Sequence, residues 1–203
     1  KAIPIGELHM LLNKDPQSEK LRRTQAIANL LFQFCGMPFS DLAHLEKSNL
    51  ERGLLKYNRT KTGTPMSIEV LESAQNAIGG LYNKSDARSS GYPDYLFRIL
   101  SGAYKRNEEG AYREYQSALR RFNNELKSLS RKLRLHSPVT SYTLRHSWAT
   151  TAKYRGVPIE MISESLGHKS IKTTQIYLKG FELEERTKVN KLNYSYVCNF
   201  KML

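Results

Sequence analysis

The sequence predicts a mainly α-helical fold with one small antiparallel β-sheet (α+β). Three observations predict it. Between Ala111 and Leu135, Tyr112, Tyr115, Leu119, Phe122, Leu126, Leu129 and Leu133 step by three and four residues, which is the helical period. Around Thr60-Lys61-Thr62-Gly63 the apolar residues shift toward alternation, clearest in Met66, Ile68 and Val70, which signals a hairpin. From Thr140 to Leu178, cap and stop residues cut the chain into short helical lengths.

Each element follows in order. Asp15-Pro16 offers an N-cap with Pro at the first helical position, and Gly36 supplies the stop. Leu21, Ile27, Ala28, Leu31 and Phe34 keep the helical period between them. A short helix follows from Ser40, using Leu42 and Leu45. Arg52 to Val70 reads as a β-hairpin or a small sheet edge, and Gly79 to Gly110 gives no defined element. The 111–135 stripe fits a coiled-coil seam or a core helix, and three turns of repeat inside a globular chain favour the core. Its other face carries Arg113, Arg120, Arg121, Lys127, Arg131, Lys132 and Arg134. That face lies along a polyanion or is simply solvated.

After Ser137-Pro138, one helix is expected from Thr143 to Tyr154 and another from Pro158 to Leu166, closed by Gly167. Ser170 then caps a helix through Tyr177 and Leu178. Trp148 shares a face with Leu144 and Thr151 and reads as core. The tail from Phe181 predicts one more short helix and a loose end. Residues 1–180 therefore form one domain, followed by a 181–203 tail.

Lys and Arg number 32 against 19 Asp and Glu, a formal charge of +13. Phosphates attract such a surface regardless of sequence, so the expected partner is polyanionic; solubility alone is the plainer reading. No apolar run approaches the ~20 residues a membrane helix needs. Cys35 and Cys198 are too few and too distant for a disulfide framework, so the expected setting is cytoplasmic. No metal-ligand spacing stands out among the five His and two Cys. The chain opens on Lys1, which reads as an excised fragment.

Chemistry concentrates in TSYTLRHSWATTAKYRGVPIEMISESLGHKSIKTTQIYL, Thr140 to Leu178. It holds Arg145-His146 on one helix, Leu166-Gly167-His168 at a helix end and Tyr177 nine residues further on. A phenol with pKa ~10 is a poor nucleophile unless its developing charge is assisted. Phosphoryl transfer needs cations and donors around the nonbridging oxygens. Arg offers a fixed fork suited to phosphate, and His a further donor. Taken singly, each residue also has a plain reading: Tyr177 as a core tyrosine, His168 as a helix-end histidine, Lys61 as a solvated turn lysine. His146 reads as a structural neighbour.

This block closely resembles the catalytic signature of the tyrosine site-specific recombinases, the phage integrase family. Phe34 to Leu45 resembles the family's first box, and Lys61-Thr62-Gly63 its β-hairpin lysine, so most of the chain is covered. The resemblance implies the fold of that catalytic domain and a DNA strand cleaved and rejoined through a 3′-phosphotyrosyl intermediate. It implies site-specific recombination, as in integration or excision of a phage or mobile element. Tyr177 would be the nucleophile, Arg145 and His168 would stabilise the pentacoordinate phosphorus, and Lys61 would protonate the leaving 5′-oxygen. It implies no cofactor and no metal. Implied partners are double-stranded DNA, sister protomers in a tetramer that the 181–203 tail packs between, and accessory DNA-bending proteins. A nucleoid location and an N-terminal DNA-clamping domain outside this fragment are also expected.

Two departures stand out. The position of the family's first arginine holds Pro38, and the position of a histidine three residues before Arg145 holds Tyr142, which still offers a hydroxyl donor. Losing one preorganised donor costs roughly 2.7–4 kcal/mol. In an extended arm Arg59 shares a face with Lys61, which makes Arg59 the candidate replacement. Asp41 either steadies such a cationic network or merely sits near a helix start. The alternatives are relaxation of DNA as by a type IB topoisomerase, and a DNA-binding family member with weakened catalysis.

Overall fold

The computed structural model describes residues 2–84, 92–178 and 183–198. The elements are α1 (Ile5–Asn13), α2 (Glu19–Gln33), α3 (Phe39–Ala43), a 3-10 turn (Lys47–Asn49), β1 (Leu50–Glu51), β2 (Leu54–Asn58) and β3 (Pro65–Glu69), followed by α4 (Glu72–Leu81), α5 (Glu109–Lys132), α6 (Ser141–Tyr154), α7 (Ile159–Ser165), α8 (Ile171–Tyr177) and α9 (Leu183–Cys198). Helices dominate, and the strands form one antiparallel sheet in the order β1-β2-β3. The expected fold class holds.

Period two works as expected in the sheet. Leu55 pairs with Ile68 and both are buried, while Lys56 and Ser67, the next pair along, are exposed. The hairpin gains β1, joined to β2 through Arg52 and Gly53.

α2 is the backbone of the packing, with α1, α4, α5 and α6 laid against it. It begins at Glu19 and not at Pro16. Asp15 Oδ1 accepts the Gln17 N–H at 2.9 Å and Gln17 has φ 53°, so Asp15-Pro16 makes a turn, and Ser18 is the N-cap. α1 and α4 went unpredicted: neither N-cap, Pro4 or Leu71, makes a side-chain capping bond. They are held by packing, through Leu8 and Leu11 in α1 and Ala74, Ile78 and Leu81 in α4.

The apolar stripe of α5 faces this chain's own core, where Phe122 stacks on Phe39 at 4.8 Å. Its predicted first member, Tyr112, is exposed, and Ala111 and Ala118 are the buried residues of that end. The expected short tail helix is the 16-residue α9, whose side chains from 186 to 195 are exposed. Residues 179–182 and 199–203 of the tail, and 85–91 of the undefined stretch, lie outside the described residues. Among the described residues no helix is long and apolar enough to cross a membrane.

Buried apolar side chains fall into two groups. The large one spans α1 to α5, the sheet and Leu144 of α6. The small one holds Ala149, Ile162, Leu166 and Leu178, with Trp148, Ala152 and Val157 packed on it. Trp148 thus belongs to the small group and is partly buried. Only four residues of α6 separate Leu144 in one group from Ala149 in the other, and Arg145 sits at that junction.

Candidate active site

The end of α7 prepares the site. Gly167, at φ +64°, lets its own N–H reach Glu164 O at 2.8 Å and the His168 N–H reach Ser163 O at 3.0 Å. This paired closure is a Schellman stop. It leaves the Leu166 carbonyl outside the helical ladder, available to other donors. A side chain at 167 has no room: a Cβ would stand 2.7 Å from Met66 Sδ and 2.9 Å from Arg59 Cγ.

Two guanidiniums take that carbonyl. Arg145 Nη2 donates to Leu166 O at 2.6 Å and its Nη1 to Gly36 O at 2.8 Å. Arg59 Nη1 donates to the same Leu166 O. Gly36 ends the turn after α2 at φ +65°, and its ideal Cβ would lie 3.1 Å from Trp148 Cβ, so this loop packs directly on α6. Each arginine is 7 % exposed.

Burying Arg59 calls for a countercharge, and Asp41 of α3 supplies it. Arg59 Nε lies 3.0 Å from Asp41 Oδ2, a charge contact without hydrogen-bond alignment. Asp41 Oδ1 accepts the Thr60 N–H at 3.2 Å and the Ser40 hydroxyl at 3.3 Å. Asp41 therefore holds both Arg59 and the start of the β2–β3 turn. The expectation that Arg59 and Lys61 share a face needs correction. The strand ends at Asn58, and Gly63 N–H bonds back to Arg59 O at 2.8 Å. The turn breaks the alternation, so Arg59 points inward while Lys61 is exposed.

His168 completes the cluster. Its Nε2 is 3.2 Å from Arg145 Nη2 and its Nδ1 is 2.8 Å from the hydroxyl of Thr174, a fully buried residue of α8. Burial first, then the positive charges of Arg145, Arg59 and Lys61, push its pKa down to about 4, so the ring is neutral at pH 7. Lys61 is near enough to contribute to that field, and Thr62 Oγ1 approaches Gly167 O at 3.4 Å from the same turn.

Tyr142 lies in the first turn of α6, one turn before Arg145, and is exposed. Tyr177 is the last residue of α8; its side chain lies outside the described part of the structure. α8 itself begins as predicted, with Ser170 Oγ accepting the Lys172 N–H. Pro38 is the N-cap of α3, so it contributes a bend where a guanidinium was expected. Among the described residues no three His, Cys, Asp or Glu gather as metal ligands. Sequence reading missed Thr174 and the two main-chain acceptors, Gly36 O and Leu166 O. Thr174 had a usable signal, three residues before Tyr177 on one helix.

Such a group suits an anion with several oxygens, since its donors are fixed before the anion arrives. The family model described as "Phage integrase family" matches residues 6–183. A probable integrase/recombinase protein of Methanocaldococcus jannaschii is 29% identical over 91% of this chain and 54% of its own length. Tyrosine recombinase XerD of Halalkalibacterium halodurans is 30% identical over 87% of this chain and 56% of its own. This chain therefore spans about half the length of such relatives. The fold matches the crystal structure of XerA recombinase with TM-score 0.63 at 22% identity, over 100% of this chain and 64% of that one. It also matches the Tn1549 transposon integrase in complex with a circular intermediate DNA, with TM-score 0.61 at 15% identity, over 94% and 65%. The chain, which is similar to the tyrosine recombinases XerD and XerA, belongs to the phage integrase family.

Proposed function

We propose that this chain is the catalytic part of a site-specific DNA recombinase. Tyr177 Oη attacks a phosphodiester, giving its proton to water, and forms a 3′-phosphotyrosyl bond as the P–O bond to the 5′-oxygen breaks. Lys61 delivers a proton to that leaving oxygen, and Arg145, Arg59 and His168 hold the negative charge on the phosphorus oxygens. The observation that carries this reading is the joining of Arg59, Arg145 and His168 at one helix end, on the segment that leads into α8.

Arg59 takes the role left open by Pro38. A buried guanidinium with its own carboxylate beside Arg145 supports that assignment. Its two protein contacts use Nε and Nη1, leaving Nη2 for an oxygen. Tyr142, exposed one turn before Arg145, serves as a further donor. The partner is double-stranded DNA, supported by the +13 charge and by the DNA complexes among the structural neighbours. Sister protomers complete a tetramer, with α9 as the arm packed between them. Excision or integration of a mobile element is the setting, in keeping with the transposon integrase among the structural neighbours.

Covalent capture tests this. Nicked duplexes of randomised sequence, incubated with the chain and resolved under denaturing conditions, should yield a protein–DNA adduct, and Tyr177→Phe should yield none. Sequencing the captured DNA should return one preferred site. Adducts without preference would indicate topoisomerase-like relaxation, and binding without adducts a DNA-binding relative; either overturns the proposal.

A further inference from the structure

Thr174 has a fully buried hydroxyl whose partner is a titratable ring, on the same helix as Tyr177 and one turn before it. A guanidinium only donates hydrogen bonds. Nε2 of His168, facing Arg145 Nη2, must therefore be the acceptor. In a neutral ring the proton then sits on Nδ1 and is donated to Thr174 Oγ1. Three cations, Arg145 on α6, Arg59 just past β2 and Lys61 in the same turn, oppose a second proton. To donate to a phosphate oxygen through Nε2, the ring must move its proton and not add one: Nδ1 releases a proton to water and Nε2 takes one from water. Nδ1 is then a lone-pair acceptor, and its partner must become a donor. A hydroxyl serves in both states, because it rotates to present either its lone pair or its hydrogen.

We infer that Thr174 is a positioning residue that fixes which nitrogen of His168 carries the proton and permits the reversal when a DNA phosphate arrives. This rests on the recombinase reading for the phosphate step and on geometry alone for the free protein. It also ties the orientation of the imidazole to the helix that ends in Tyr177.

The test uses the full chain. Nitrogen NMR shifts of the His168 ring, assigned by their loss in His168→Gln, should show a protonated Nδ1 and a bare Nε2 at pH 7. Thr174→Ser should keep that pattern, and Thr174→Val, equal in size but without the hydroxyl, should give averaged shifts for the two nitrogens. On a captured site, Thr174→Val should form adduct about tenfold more slowly, the worth of one neutral hydrogen bond. Its DNA affinity should be unchanged and Thr174→Ser should fall within about twofold of wild type, less than half a kcal/mol. A wild-type ring protonated on Nε2 without DNA, or Thr174→Val cleaving at the normal rate, overturns the inference. If wild type forms no adduct, the recombinase reading fails and the ring shifts alone decide this one. Should Thr174→Val not fold, the wild-type and Thr174→Ser shifts decide it.

Discussion

The two apolar groups differ in size and in what they do for the site. The large one interlocks α1 to α5 with the sheet, so its members are held from several directions. The small one holds α7 and α8 to the second half of α6 through Ile162, Leu166, Leu178 and Ala149. Arg59, Asp41 and the Gly36 carbonyl stand on the large group's elements; His168, Thr174 and the Leu166 carbonyl stand on the small group's. Arg145, at the junction, bonds to both sides. The cluster is thus assembled across a seam between a large apolar group and a small one. Local opening draws on elements with few buried contacts, so α7 and α8 are expected to open before the elements of the large group.

Breaking the seam should have the largest effect. Arg59→Ala removes a donor to Leu166 O and strands Asp41, so it should cost about 3–5 kcal/mol of stability, the size seen for a broken buried pair. In adduct formation it should lose ~10²–10³ in rate, comparable to Arg145→Ala. Adding Asp41→Asn should recover much of the stability in a urea melt and none of the cleavage. Near-normal cleavage by Arg59→Ala would remove it from the mechanism.

Truncations inside the two groups sharpen the contrast. Leu126→Ala in the large group should lower global stability by about 2–5 kcal/mol. Ile162→Ala should chiefly raise amide exchange in α7 and α8, with a melt shift of about 1 kcal/mol or less, since that part opens below the global limit. Equal shifts for both would mean one cooperative unit.

The smallest effect is on pH. His168 has a folded pKa lowered to about 4, so the unfolded chain binds the proton first as pH falls from about 6.5. Stability tied to this group is complete above that pH and drains away toward pH 4. For a partly solvated ring the loss is about 1 kcal/mol. His168→Gln should flatten that part of the profile, and an unchanged acid limb would refute the assignment.

Legibility in the sequence follows the same division. Where caps and stops decide the outcome, as at Gly167 and Ser170, the elements of the small half could be read almost to the residue, whereas α6 starts at Ser141, before the expected Thr143, because Thr140 caps it. α1 and α4 lack capping side chains and exist because tertiary burial holds them, which no local signal encodes. Arg145 and His168, which the structure brings together, were singled out by spacing, and Lys61 by the family resemblance. Arg59 was singled out for the wrong reason: strand alternation pointed to it, but the turn closed by Gly63 and the charge of Asp41 are what turn it inward. The Leu166 and Gly36 carbonyls carry no side-chain signature at all.

Because the acceptor that two guanidiniums share belongs to the main chain, no replacement of residue 166 deletes it. Identity there is constrained by bulk and greasiness alone. Vulnerability moves one step along, to the neighbour whose bare α-carbon sets the bend: adding a single methyl at 167 would push the stem of one arginine aside and swing the oxygen away from both.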